Sequence, residues 1–165
     1  MKCCLKKIIN EKLIIRDTTE KDIPQIFALI KELAEYEKLS DMVTADEFIL
    51  KENLFGERRY AEVILSEYEG NPAGYALYFY NFSTFNGKPG IYLEDLYVRP
   101  TLRKKGIGKA LFNYLIEIAK SNKCGKIEWI VLDWNKSAME FYKSFGAKPM
   151  NGWITFRLGE EEFNH

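Results

Sequence analysis

Ile91-Tyr92-Leu93-Glu94-Asp95-Leu96-Tyr97-Val98, followed by Arg103-Lys104-Lys105-Gly106-Ile107-Gly108-Lys109, decides how the rest of this chain is read. The first run is β-branched and aromatic, as a half-buried strand requires, and Pro100, which has no N–H for a ladder, ends it. Behind the second run, Ile107, Ala110, Leu111, Tyr114, Leu115, Ile118 and Ala119 fall at helical spacing. They form one apolar stripe and leave Lys109, Asn113, Glu117 and Lys120 off it. The local plan is a strand, a basic glycine turn and a helix ending near Asn122.

The turn has a physical use. The amides that open a helix lack intrahelical partners and carry the positive end of its dipole. Glycines at Gly106 and Gly108 remove β-carbons that would hold a bulky anion off those amides. Arg103, Lys104, Lys105 and Lys109 add positive charge, so the pattern suits a pyrophosphate. Two common phosphate motifs are excluded. The dinucleotide fingerprint lacks its third glycine, with Leu111 in its place, and the P-loop fails because Ala110 follows Lys109 and no glycine lies five residues before Gly108. The plain alternative is a solvated basic turn.

Composition narrows the class. A chain of 165 residues, 47% hydrophobic and 29% charged, fits one soluble domain with a real core. Lys+Arg and Asp+Glu number 24 each, so no global field draws it to nucleic acid or an anionic membrane, and the basic cluster is local. Cys3, Cys4 and Cys124 have neither metal nor redox spacing and suit a reducing, cytoplasmic setting. Met1-Lys2-Cys3-Cys4 has no apolar run behind it to make a signal sequence, and no stretch approaches the ~18 apolar residues that span a bilayer. His165 is the sole histidine, which argues against histidine triads and histidine metal sites.

Along the chain, residues 1–10 read as a loose basic extension and 11–165 as a single domain. A first strand is expected over Lys12–Arg16. Thr19-x-x-Asp22 then caps a helix carrying Ile23, Ile26, Phe27, Ile30, Leu33 and Ala34 to about Glu37. A weaker helix spans Thr44–Asn53, with Thr44 and Glu47 as a second capping box. Tyr60–Tyr68 and Ala73–Phe82 read as strands turned by Glu69-Gly70-Asn71-Pro72, and Asn86-Gly87-Lys88-Pro89-Gly90 turns into the strand at Ile91. Three strands with short links imply an antiparallel meander. Ile127–Leu132 is a short strand, and its separation from the Ile91 strand by a helix implies a parallel pair. A helix over Ser137–Phe145 stopped by Gly146, a last strand at Trp153–Leu158 and a loose acidic tail complete the expectation. The fold class is α/β, a mixed antiparallel and parallel sheet.

Arg103-x-x-Gly106-x-Gly108 after a strand ending in Tyr97-Val98 resembles the acetyl-CoA signature of the GNAT N-acetyltransferase superfamily. Trp134-Asn135-x-x-Ala138-x-x-Phe141-Tyr142-x-x-x-Gly146-Ala147 resembles its second motif, and the likeness covers about residues 12–158. The resemblance implies the GNAT acyl-CoA N-acyltransferase fold, with about six or seven strands and about four helices. It also implies acetyl-CoA as cosubstrate, held where two parallel strands splay. Backbone groups of Leu96, Tyr97 and Val98 would pair with the pantetheine arm, and Arg103, Lys104, Lys105, Gly106, Ile107, Gly108 and Lys109 would hold the pyrophosphate. Asn135, with Lys136, Ser137 and Ala138 behind it, would meet the arm from the other side.

Within that resemblance Tyr142 is the expected general acid. A thiol has a reference pKa of ~8.5 and a phenol ~10, so the phenol keeps a proton to give to a departing thiolate. Glu94 is the expected base or amine anchor. Deprotonating an ammonium of pKa ~10.4 at pH 7 costs about 4.6 kcal/mol, which a nearby carboxylate offsets by attracting the amine and relaying its proton. Strand alternation sets Tyr92, Glu94 and Leu96 on one face and Leu93 and Asp95 on the other, so Glu94 and Asp95 share a role only if a bulge twists the strand.

Glu32-Leu33-Ala34-Glu35-Tyr36-Glu37-Lys38-Leu39-Ser40-Asp41, Tyr92-Leu93-Glu94-Asp95 and Val131-Leu132-Asp133-Trp134-Asn135 resemble the diamine (spermidine/spermine) acetyltransferases, and most closely their thialysine Nε-acetyltransferase branch. By that likeness Tyr36, Glu37, Ser83, Phe85, Glu94 and Asp95 would line the amine end, and the enzyme would be a homodimer. The polyamine enzymes carry an acid and a tryptophan where this chain has Ser83 and Phe85, and a glutamate where it has Asn151. A small-molecule amine, thialysine-like or a short diamine, is the expected substrate, with direct transfer in a ternary complex. A polyamine acetyltransferase and a non-catalytic acyl-CoA-binding regulatory module are the alternatives. A nucleic-acid binder is disfavoured by zero net charge.

Overall fold

The turn at Glu69-Gly70 shows how the sheet begins. Both residues have positive φ (52° and 78°), the geometry of the hairpin turns whose twist matches that of the flanking strands. The computed structural model describes residues 6–163. In it the turn joins β3 (Glu62–Tyr68) to β4 (Asn71–Ser83) with Tyr68 opposite Asn71. The chain is described as two compact units, Met1–Trp129 and Ile130–His165.

The first unit holds a six-stranded sheet in sequential order. β1 (Lys6–Ile8), β2 (Leu13–Asp17), β3, β4 and β5 (Lys88–Val98) are antiparallel, and β6 (Ile127–Glu128) is parallel to β5. The meander and the parallel pair are therefore as expected. β1 is a correction, since Lys6–Ile8 is paired and not a loose extension. Asn10 makes the hairpin, its Oδ1 accepting the Lys12 and Leu13 amides at 2.9 Å each. The expectations on Cys3, Cys4 and His165 lie outside the described residues.

Helix α1 (Ile23–Glu37) starts where the sequence places it, after a 3-10 turn in which Asp22 accepts the Thr19 amide at 2.8 Å. Its Ile23, Ile26 and Leu29 pack with Leu54, Val63, Leu65, Tyr75 and Tyr97 into one buried cluster. Helix α2 (Glu47–Phe55) is capped by Asp46, whose side chain accepts the Ile49 amide at 2.8 Å. The Thr44–Glu47 box is not used, because the carboxylate adjoining the first helical residue takes the free amide. Helix α3 (Ile107–Ser121) buries Ile107, Ala110, Leu111, Tyr114, Leu115 and Ala119, the predicted stripe except for half-buried Ile118. Phe112 is buried as well, edge-on to Trp129 at 5.4 Å. Tyr114 donates to Asp17, the register partner of Ile64, so α3 lies on the sheet face opposite the α1 cluster.

The second unit differs more from expectation. Helix α4 (Lys136–Lys143) forms, with Gly146 at φ 83° behind it, but β6 stops at Glu128 instead of reaching Leu132. Residues 153–158 are not a strand. A strand exists only through its ladder, these residues find none among the described residues, and Ile154 and Phe156 are 80% and 90% exposed. The acidic tail is not loose at its start, since α5 (Glu160–Phe163) forms with Glu162 accepting the Gly159 amide at 2.7 Å.

Candidate active site

β5 carries the decisive irregularity. Tyr78 of β4 faces Leu93, and its neighbour Leu77 faces Asp95, so Glu94 is the extra residue of a β-bulge. The simple alternation therefore fails. Leu93 and Leu96 share the α3 face, while Tyr92, Asp95 and Tyr97 share the α1 face. Glu94 is exposed at the bulge and Asp95 is half-buried.

Asp95 has a built environment. The hydroxyl of Tyr75, a residue with no exposed surface, donates to Asp95 Oδ2 at 2.9 Å. Burial first, and then the charges of Glu94 and Glu37, push the Asp95 carboxyl up to about 6 against the lowering effect of that hydrogen bond. Glu37, in the last turn of α1, is raised by burial. Glu37 and Asp95 thus form a half-buried acidic pair, the kind of perturbed carboxylates found where charge is received or moved.

The glycine turn begins at Arg103, five residues after Val98. A 3-10 turn (Pro100–Leu102) leads to Lys104 at φ 63° and Gly106 at φ 81°, the N-cap of α3. A Cβ at Gly106 would meet nothing within 4 Å, so the space in front of the helix is open, and the left-handed φ there favours glycine. The first intrahelical bond runs from the Ala110 amide to the Gly106 carbonyl at 2.9 Å. The amides of Gly106, Ile107, Gly108 and Lys109 thus precede the ladder. β5 also runs six residues beyond its pairing with β6, which ends at Tyr92, so among the described residues no strand pairs with Leu93–Val98 on that edge. An open strand edge beside unpaired helix amides fits an acyl-pantetheine arm and its pyrophosphate.

The cations of the turn are partly engaged. Arg103 lies 4.3 Å from the Tyr36 ring centre and donates through Nε to the Val98 carbonyl at 3.1 Å, while Lys105 sits 4.6 Å from the Tyr68 ring. Arg99 grips Glu32 of α1 with NH2 to Oε1 at 2.7 Å and Nε to Oε2 at 3.0 Å, and donates to the Pro72 carbonyl at 2.8 Å. Glu32 lies on the same helix flank as Tyr36, four residues on, so this clamp fixes the end of α1 that carries Tyr36 and Glu37. Tyr75, Glu32 and Arg99 were not singled out from the sequence. A tyrosine inside a strand and a glutamate inside a helix carry no local mark of a partner 20 or 67 residues away.

Other expected residues lie apart. Ser83 pairs with Lys88 at the hairpin end of β4, and Phe85 is exposed in the turn. From Leu77, opposite Asp95, to Ser83 is six residues, about 20 Å of strand, so the first unit does not bring Ser83 and Phe85 to the carboxylate pair. A shallow cavity of about 190 Å³ lined by Tyr60, Glu62, Phe79 and Tyr80 among others also belongs to that far end. In the second unit, Asn135 caps α4, its Oδ1 accepting the Ala138 amide at 3.1 Å; Lys136 and Ser137 open the helix. Tyr142 is half-buried with its ring edge-on to Phe141 at 5.1 Å.

The profile of the acetyltransferase (GNAT) family matches residues 23–147. The chain belongs to the GNAT acetyltransferase family. This GNAT protein is 40% identical over 160 residues to a thialysine N-epsilon-acetyltransferase of Bos taurus, covering 90% of this chain and 94% of that one. It is 39% identical to the Sus scrofa enzyme of the same name over the same shares. Among solved structures, an integron cassette protein from the mobile metagenome of V. cholerae superposes with a TM-score of 0.79 at 26% identity, covering 94% of this chain and 97% of that one. The GNAT chain is thus an N-acetyltransferase on an α/β fold. No helix among the described residues is long and apolar enough to cross a membrane.

Proposed function

We propose that this enzyme transfers an acetyl group from acetyl-CoA to the primary amine of a lysine-like small molecule, thialysine or a short diamine, directly in a ternary complex. The observation that carries this reading is the Asp95–Glu37 pair, half-buried beside the open edge of β5 and three residues before Val98. Two carboxylates in a partly dry setting attract one ammonium strongly. The likeness to thialysine N-epsilon-acetyltransferases supports an amine borne on a chain with its own carboxylate.

Acetyl-CoA would supply an activated thioester when bound. Leu96, Tyr97 and Val98 would receive its arm, and Arg103, Lys104, Lys105, Gly106, Ile107, Gly108 and Lys109 its pyrophosphate, with Asn135, Lys136, Ser137 and Ala138 as the second motif's contribution. Asp95 and Glu37, with Tyr36 beside them, orient the amine. Glu94, exposed on the bulge, passes the amine's proton to water. Tyr142, by its place in the second motif, holds a phenolic proton for the departing thiolate. The homodimer and cytoplasmic setting implied by the resemblance belong to the same proposal. Incubation with acetyl-CoA and thialysine, followed by thiol release and product mass, tests the reading. An acetylated amine is the expected result, and binding of acetyl-CoA without transfer would reduce the protein to an acyl-CoA-binding module.

A further inference from the structure

Tyr75 has no exposed surface, yet its hydroxyl is not spent on the backbone; it donates to one oxygen of a half-buried carboxylate, Asp95 Oδ2, at 2.9 Å. Its ring packs against Tyr97 at 6.4 Å between centroids and belongs to the core cluster under α1, so it cannot swing away. Among the described residues Oδ1 of Asp95 has no donor. The bulge at Glu94 is what turns Asp95 to the Tyr75 side of the sheet, since the register sets Asp95 opposite Leu77 and Tyr97 opposite Tyr75.

We infer that Tyr75 is a positioning residue for the amine: by occupying Oδ2 it fixes the Asp95 carboxylate so that Oδ1 alone receives a single substrate ammonium. The inference rests on the proposed acetyl transfer to a primary amine. The phenol is suited to the task because burial first, and then the Asp95 charge, raise its pKa well above the ordinary value, so it stays a donor. The groups that act on Asp95 are Tyr75 on β4, Glu94 on its own strand and Glu37 on α1, with Tyr97 acting in turn on Tyr75. Tyr75 is the one of these that lowers the Asp95 pKa; the two glutamates raise it. Without the Tyr75 hydroxyl, Asp95 would hold its proton at a higher pH and lose its grip on the ammonium near neutrality. One donor on one oxygen also matches a compact primary ammonium better than a bidentate guanidinium, which needs both oxygens.

The test uses Tyr75→Phe in the full chain. At pH ~7, kcat/KM for thialysine should fall about tenfold, the usual scale for a hydrogen bond to a charged group, while the KM for acetyl-CoA stays within twofold. The acid limb of the kcat/KM profile should move to higher pH, so that the deficit shrinks as the solution becomes alkaline. In an Asp95→Asn background the same substitution should add little. A deficit equal at every pH, or none, would overturn the inference and leave the proposed function standing. A readout independent of turnover is the carboxyl carbon titration of Asp95 by NMR. It should move up in Tyr75→Phe and, in a ring-preserving check, down when 3-fluorotyrosine, a more acidic donor, replaces Tyr75. An Asp95 titration unmoved by either change overturns the inference even if no amine is acetylated.

Discussion

Arg103 covers the ring of Tyr36 at 4.3 Å while its Nε donates to the Val98 carbonyl at 3.1 Å, so one side chain ties the glycine turn to both β5 and the end of α1. Tyr36 adjoins Glu37, and Val98 lies three residues from Asp95. The proposed anion cradle and the proposed amine pair are therefore mechanically joined through residues 36, 98 and 103. A change at the turn should be felt first in cofactor binding and second in amine binding.

Gly108→Asp puts a carboxylate in the first turn of α3, where an incoming phosphate would meet it. Like charge and added bulk should weaken acetyl-CoA binding by about tenfold or more, since each lost charge-assisted contact is worth roughly 1.5–3 kcal/mol. Calorimetric titration reads this directly, and an unchanged affinity would remove the phosphate cradle.

Tyr142→Phe retains the ring that packs on Phe141 and removes only the proton. Turnover should drop by ~10²–10⁴, the range for a general acid, with acetyl-CoA affinity little changed. A variant within twofold of wild type would assign thiolate protonation to water or another group.

Asp95→Asn should stabilise the fold. Burial chiefly, with Glu94 and Glu37, raises the folded Asp95 pKa to about 6, so the native state binds this proton more tightly than the unfolded chain. Stability from this group therefore falls as pH rises from about 4 to about 6 and stays lower above that. Urea unfolding should show the Asn variant more stable by roughly 1–2 kcal/mol near pH 7 and equal to wild type below about pH 4. Inactivity with added stability would mark a residue retained for function.

Asp22 behaves in the opposite sense. Burial pushes its pKa up, but Arg16, with guanidinium contacts of 2.7 and 3.0 Å, and the Thr19 amide outweigh that and lower it. The stabilisation is complete above the unfolded value of ~3.9 and is lost as pH falls through the lower folded value. Asp22→Asn should therefore lose less stability than wild type between about pH 5 and pH 2 in urea titrations, because its share is already gone.

What could be read from the sequence follows the range of the interactions involved. α1 and α3 were legible almost to the residue, because Thr19–Asp22 caps one and the stripe from Ile107 to Ala119 repeats along the other. The glycine turn was legible for the same reason, its charges and glycines being contiguous. The bulge at Glu94 was not, since it is a mismatch between two strands and neither strand shows it alone. That mismatch is what sets Asp95, and not Glu94, on the Tyr75 side of the sheet. The run at 153–158 alternates like a strand but lacks a ladder, and periodicity cannot supply one. Lys6–Ile8 is the converse, three residues too short to show a period yet paired through the Asn10 turn.

The most direct test of the account is kcat/KM measured with acetyl-CoA on thialysine, putrescine, spermidine and spermine under one set of conditions. Spermine carries remote ammonium groups that need further acids, whereas the acids drawn together here are Glu37 and Asp95. Each missing charge-assisted contact lowers preference by roughly ten- to a hundredfold. Thialysine and short diamines should be acetylated with kcat/KM at least about tenfold above spermine. A clear preference for spermine, or no acetylation of any of the four, would contradict it.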